Sequence, residues 1–402
     1  MDTTTEPRFP VGRTLFLGAM FMGMGMVMPI FNHFVPIFLK EMQLSATLIM
    51  FVMTWDNYIN MFLQPIVGTL SDRTRTRIGR RKPWVLAGAP IAGTAFALVP
   101  FVPSAPLVML TIFLTNFGNA LFRSPGVALI GDLYPSSQRS LANGIINLML
   151  GAGAVLAYFL GGVLYDQLGR PAPFFFGTAM MALALIIALL FIHEPRQPLG
   201  HSEQDEAGFL ESLHGLLSAS DRSVRWMLGA IFSWFMGFTA IEATLSLIGR
   251  QVLGIEPGRM GMIVALLPLT FVAFAVPSGL LATKLGRRPL ILTGIAGLIG
   301  MMTYGYFVQS LWMMIGFLIP AGMFWALINV NSLPALYDTA PQLRAGIMTG
   351  MYYLASNLSA VLGPQLAGVL VDRLGGDYRI VFLYGAGFMA LAGLCMMRVR
   401  VR

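Results

Sequence analysis

Three ionisable side chains stand inside long apolar runs of this chain: Asp56, Arg123 and Glu242. A charge in hydrocarbon is costly, so such residues face a partner or a water-filled space and mark ion or solute paths. Asp56 and Glu242 can each gain and lose a proton and are the expected coupling residues. Arg123 can bind solute, or pair with Asp56 and hold it ionised. In the second case proton and solute would act on one carboxylate, which is a coupling switch.

Polar residues extend these points into stripes. Asp56, Asn57, Asn60 and Gln64 share one face of a helix, as do Asn116, Asn119 and Arg123. Glu242, Ser246 and Gly249 align on a third helix, and Trp325, Asn329 and Ser332 on a fourth. Asn32 and His33 lie near the start of the chain, Tyr353 and Asn357 near its end. Amides and a guanidinium suit the hydroxyls of a polar solute, and Trp325, Trp234 or a tyrosine can cover its apolar face. The expected solute-binding set is Arg123, Asn60, Asn116, Asn119, Asn32, His33, Trp325, Asn329, Tyr353 and Asn357. His33 also has a purely structural reading, as a satisfied buried histidine.

The elements that must position these residues are membrane spans. Of 402 residues, 56% are hydrophobic and 11% charged, against about 25% charged in soluble domains. A span needs about 20 apolar residues, and twelve such runs occur: 14–39, 46–70, 83–102, 106–130, 141–166, 173–193, 224–249, 258–282, 289–308, 311–335, 345–371 and 378–397. Backbone groups in lipid must bond internally, so these are helices. Asp56 lies about 18 Å along its helix from Gly68, near mid-membrane. The first run is too long for a signal core and is expected to remain as a span.

The net charge of +8 sits in short loops between spans, which is a topology signal and not a nucleic-acid surface. Placing both termini inside leaves Lys40, Arg170, Arg250, Arg259, Arg373 and Arg379 outside, Arg123 in a span, and every other Lys and Arg inside. The expectation is an integral protein of a bacterial inner membrane, both termini cytoplasmic, monomeric, in contact with lipid. Residues 194–222 form a polar stretch, read as a cytoplasmic linker with a helix over 207–217. It separates a six-span bundle (1–193) from a second (223–402).

The halves repeat. Leu160-Gly-Gly-Val-Leu-Tyr-Asp-Gln-Leu-Gly169 matches Leu366-Ala-Gly-Val-Leu-Val-Asp-Arg-Leu-Gly375, and Asp132 matches Asp338 at the same offset. Gly153, Ala157 and Gly161 match Ser359, Gly363 and Ala367, small residues spaced for close helix approach. Six spans per half, both starting inside, make the repeat parallel.

Two cationic loops complete the pattern. Residues 68–83 read Gly-Thr-Leu-Ser-Asp-Arg-Thr-Arg-Thr-Arg-Ile-Gly-Arg-Arg-Lys-Pro, and 279–289 read Gly-Leu-Leu-Ala-Thr-Lys-Leu-Gly-Arg-Arg-Pro. Span count, parallel repeat and these paired loops resemble the major facilitator superfamily over the whole chain. The stretch from Gln64 to Pro83, with Arg123–Pro135 and Ala142–Asn147, is similar to the glycoside/cation symporters of the sucrose-carrier-like bacterial branch. The resemblance implies that spans 1, 4, 7 and 10 line a central cavity, flanked by 2, 5, 8 and 11. It also implies a cytoplasmic gate, expected at Gly68, Asp72, Arg73, Gly79, Arg80, Arg81, Asp132, Arg139, Arg287 and Arg288. Thr283 replaces the loop aspartate in the second copy. Melibiose-carrier-like members carry carboxylates where this chain has Asn60 and Gln64, so protons rather than sodium are the expected coupling ion.

Other chemistries lack their residues. A single cysteine, Cys395, allows no internal disulfide. Met20, Met22, Met24, Met26 and Met28 alternate in steps of two, which sends successive sulfurs to opposite helix faces. They are expected to pack against neighbouring glycines rather than bind copper. No His-Glu-x-x-His and no nucleotide loop occur, so no metal, no cofactor and no enzymatic activity are expected. The leading expectation is secondary transport of a sugar or glycoside-like solute by proton symport and alternating access. The alternatives are an exporter of another metabolite or drug on the same fold, and a receptor or scaffold that does not transport.

Overall fold

The computed structural model describes residues 9–194, 222–339 and 345–399. The expected linker, with its helix over 207–217, lies outside them apart from its two ends. All described regular structure is helical, apart from one isolated bridge between Thr76 and Gly79.

Among the described residues twelve helical spans follow in order. Span α1 runs over Val11–Gly25 and Val27–Glu41, and α2 over Ala46–Met53 and Trp55–Arg73. They are followed by α3 (Lys82–Leu98), α4 (Ala105–Leu133), α5 (Ser136–Leu168) and α6 (Ala172–Phe191). The second half has α7 (Arg222–Leu247, continued by a π-helical turn over Ile248–Val252) and α8 (Pro257–Val264 and Leu266–Leu285). It closes with α9 (Arg287–Tyr306), α10 (Leu311–Thr339), α11 (Ala345–Arg373) and α12 (Ile380–Met397). Eleven of these are long and apolar enough to cross a membrane. The exception is α2, whose polar stripe makes it less apolar than the rest.

Three spans are broken, each with a local cause. Pro29 and Pro268 cannot donate to the carbonyls one turn earlier, at Gly25 and Val264, and α1 and α8 break at Met26 and Ala265. No proline stands at the break in α2; Pro65 lies further along it. There the Thr54 hydroxyl donates back to the Phe51 carbonyl at 3.0 Å, a bond that bends helices.

Each half is one six-helix bundle, and the two are packed alike. In the first, α1 lies on α5 and α6, α3 on α4 and α6, and α2 on α4. In the second, α7 lies on α11 and α12, α9 on α10 and α12, and α8 on α10. The small-residue faces work as the repeat suggested. A Cβ on Gly153 of α5 would stand 2.8 Å from Met22 of α1, and one on Gly363 of α11 would stand 2.6 Å from the Met236 carbonyl of α7. The α1 methionines take part in this packing: Met20, Met24 and Met26 are buried.

Candidate functional site

The halves meet unevenly. At the end remote from the basic loops, the short first pieces of α2 and α8 pack closely on α11 and α5. Beyond the breaks, their longer pieces diverge from those partners. Hydrogen bonds join the halves at the remote end. The Asp372 carboxylate accepts from the amides of Ala46 (2.9 Å) and Thr47 (2.8 Å) and from the Thr47 hydroxyl (2.6 Å). His33 Nε2 donates to the Pro257 carbonyl at 2.8 Å. Gln365 donates to Thr54 Oγ1 at 2.8 Å and to the Tyr58 hydroxyl at 3.0 Å. The space between the halves is therefore clasped at the remote end and widens toward the basic loops.

The three intramembrane charges share that space. Glu242 is exposed, and its electrostatic neighbours Asp56 and Tyr158 both belong to the other half. Its side chain is thus turned into the gap rather than toward lipid. Asp56 is half-buried, with Arg123 as its cationic neighbour. Arg123 is exposed and forms no contact ion pair with Asp56 among the described residues. The result is one site with two carboxylates contributed by opposite halves and one guanidinium beside the first.

The other expected solute-binding residues divide. Asn60 is half-buried and accepts from Gln64 at 2.9 Å, continuing the α2 stripe. Asn119 is half-buried, with its amide 3.5 Å from the Met28 sulfur. Asn116 is 2% exposed, and neither of its amide atoms has a partner among the described residues. Asn32 and Asn329 are half-buried, while Tyr353 and Asn357 are exposed on α11. Trp325 is stacked on Phe238 (centroids 3.8 Å apart, planes 4° apart) and meets Phe235 edge-on. His33 is placed differently: it is 2% exposed, and its ring lies edge-on to Phe34 and Tyr158 within the remote clasp. Trp234 is wholly buried.

The basic loop builds a compact network inside the first half. Arg81, 3% exposed, reaches Asp132 at 3.0 Å, Asp72 and the Ser71 hydroxyl. Arg80 reaches the same Asp132 at 2.8 Å. Glu194 accepts from the amides of Arg80 (2.6 Å), Arg81 (3.0 Å) and Lys82 (2.7 Å), capping the start of α3. Gly79 is required there: its φ is +123°, and the Glu194 carboxylate occupies the place of a side chain. Gly68 faces Ser124 of α4. Two expected members stand apart. Arg73 is exposed and joins no ion pair among the described residues, and Arg139 donates to the carbonyls of Tyr134 and Gly131 at the α4–α5 corner. In the second half Arg287 pairs with Asp338, and Arg288 donates to the Met397 carbonyl at 2.7 Å. These bonds tie each loop to its own half; they do not bridge the two.

Glu194, Gln365 and Asp372 were not expected as functional residues. The repeated motif that contains Asp372 was a usable signal. Gln365 and Glu194 carried none, because their partners are distant in sequence.

A model of the Major Facilitator Superfamily matches residues 15–259 and 250–402. The chain belongs to this superfamily. A tetracycline resistance protein, class E, of Escherichia coli is 26% identical over 94% of this chain and 91% of its own length. The tetracenomycin C resistance and export protein of Streptomyces glaucescens is 24% identical, over 77% of this chain and 66% of its own. Among solved structures, a point mutant of the nucleoside transporter NupG superposes with a TM-score of 0.76 at 14% identity, covering 96% of this chain and 99% of that one. A bacterial homologue of the human lysosomal transporter Spinster also gives 0.76 at 14% identity, over 98% and 97%. The superfamily fold makes the chain a secondary transporter and not an enzyme. The resistance proteins give no support to the glycoside branch.

Proposed function

We propose that this chain is a proton-coupled exporter of a small organic solute, working by alternating access. The observation that carries the reading is the single site in which Asp56 of one half and Glu242 of the other face the same gap, with Arg123 beside Asp56. A carboxylate from each half gives the two bundles a shared interest in one proton. Protonation relieves the like-charge repulsion across the gap, and binding of solute at Arg123 competes for the same charges. The likeness to the tetracenomycin C resistance and export protein, beside that to a tetracycline resistance protein, favours export. In this reading the loop end lies in the cytoplasm of a bacterial inner membrane, an orientation that its excess positive charge favours. The gap then opens inward, and the clasp lies outside.

The experiment is transport in proteoliposomes under an imposed pH gradient, with aromatic amphiphiles and glycosides offered in turn and assayed in both directions. Proton movement linked to efflux of an amphiphile supports export; an indifferent response to every amphiphile rejects it. Asp56→Asn should lose gradient-driven accumulation and keep solute exchange, and normal accumulation would remove Asp56 from coupling. Arg123→Ala should lose solute binding, and full activity would make Arg123 structural.

A second reading, proton symport of a sugar or glycoside, rests on the amides of Asn60, Asn119, Asn329 and Asn357, none of which is fully buried. Uptake of a glycoside with a proton in the same assay would favour it.

A further inference from the structure

The repeated ten-residue motif takes no part in the transport site, and its place in the fold gives it a task. Its two copies end α5 and α11 at the remote end, each facing the first turn of a short helix piece from the other half. Both receiving pieces, Ala46–Met53 of α2 and Pro257–Val264 of α8, have eight residues.

The two contacts match part by part. A Cβ on Gly368 of α11 would stand 2.8 Å from the Ala46 carbonyl, and one on Gly162 of α5 would strike the Gly258 carbonyl. Gly162 and Gly368 occupy the same motif position. One turn later the motif places Asp166 and Asp372. Asp372 takes the first two amides of α2 together with the Thr47 hydroxyl. Asp166 presses on Gly258, in the first turn of α8. A carboxylate at a helix N-terminus meets unsatisfied amides and the positive end of the helix dipole.

The arms differ at the first helical positions and at the cap. At the first helical position α2 has Ala46, whose amide donates, whereas α8 has Pro257, which has no amide hydrogen. Ser45 also caps α2 by accepting from the Leu48 amide at 3.2 Å, while Glu256 gives α8 no side-chain cap. Asp166 makes no hydrogen bond to α8 among the described residues, so the first turn of α8 is left with fewer partners.

We propose that the remote end is held shut by two copies of one helix-capping latch, and that Asp372 on α2 is the strong arm while Asp166 on α8 is the weak one. The strong arm sets how often the remote end opens. Pro257, together with Gly258 in the place of Thr47 and Glu256 in the place of Ser45, makes the arms unequal.

The test uses the full chain in lipid nanodiscs, with spin labels on the exposed Gln43→Cys and Leu374→Cys across the strong arm and on Leu168→Cys and Gln251→Cys across the weak one; the native Cys395 is buried. Distances between labels give the ratio of closed to open remote ends without any transported solute, so the result is independent of the export reading. Asp372→Ala should lower that ratio roughly tenfold or more, because hydrogen bonds to a charged acceptor are lost. Asp166→Ala should lower it less than about threefold by the same reasoning. Pro257→Ala, which supplies the missing donor, should raise it. If Asp372→Ala fails to insert, Thr47→Val removes one of the three bonds and should still lower the ratio. Equal effects at Asp166 and Asp372, or no effect at Asp372 or Thr47, would overturn the proposal.

Discussion

Arg81 and Arg287 occupy the same place in the two halves, at the start of α3 and of α9. Arg81 is 3% exposed and bonds Asp72, Asp132 and Ser71, whereas the Arg287 side chain keeps 40% of its surface open and pairs with Asp338. The first loop is further fixed by Glu194, which follows α6 in sequence yet caps α3. In the second copy Thr283 stands where the first has Asp72. The helices of the two halves pack in one pattern, but the charges that lock each corner do not. The backbone repeat therefore tolerates large changes in its electrostatics, and the first corner is expected to be rigid while the second is compliant.

Substitutions can break that contrast. The largest effect is expected for Arg81→Ala, which strips partners from a buried Asp132 and should cost about 3 kcal/mol, read as a fall in thermal unfolding temperature in detergent. A loss no greater than that of Arg287→Ala would abolish the distinction. Next comes Glu194→Ala, which frees three amides at the start of α3 and should cost about 1–2 kcal/mol; the same assay checks it. Arg287→Ala should cost about 0–1 kcal/mol, because its pair is half-exposed. A cost above Arg81's would show that the second corner is the rigid one.

The smallest effect lies at the remote end, outside the spans. Hydrogen bonds from Arg379 hold the Asp377 carboxyl below its usual range. Its contribution is present above the ordinary aspartate pKa of about 3.9 and is lost as pH falls through the lowered value. Both groups are about 40% exposed, so Arg379→Ala should cost no more than a few tenths of a kcal/mol at neutral pH. It should also flatten the stability profile at acid pH, and an unchanged profile would dissociate the pair from stability.

The spans were legible because length and apolarity decide what crosses a bilayer, and the three charges because lipid makes a charge conspicuous. The breaks at Met26 and Ala265 had prolines to announce them. The break in α2 did not, since a threonine that bonds back into its helix looks like any other threonine. Polarity inside the first span singled out Asn32 and His33, yet polarity does not tell which body covers a residue: His33 packs against the opposite half. Arg139 failed to join the basic network for a similar reason, because carbonyls at its own helix corner were nearer than the aspartates. Asp372 sat in a visible motif, but a cap on a helix more than three hundred residues away leaves no local trace.

The break at Thr54 has a mechanical consequence. Trp55–Arg73 has 19 residues and is about 28 Å long at 1.5 Å per residue. A swing of about 10° at that pivot would carry the Arg73 tip about 5 Å over such a length, while the eight residues before it stay seated on α11. The helix is a lever with its fulcrum beside Asp56, so a small change at the carboxylate is geared up into a wide movement at the membrane's edge.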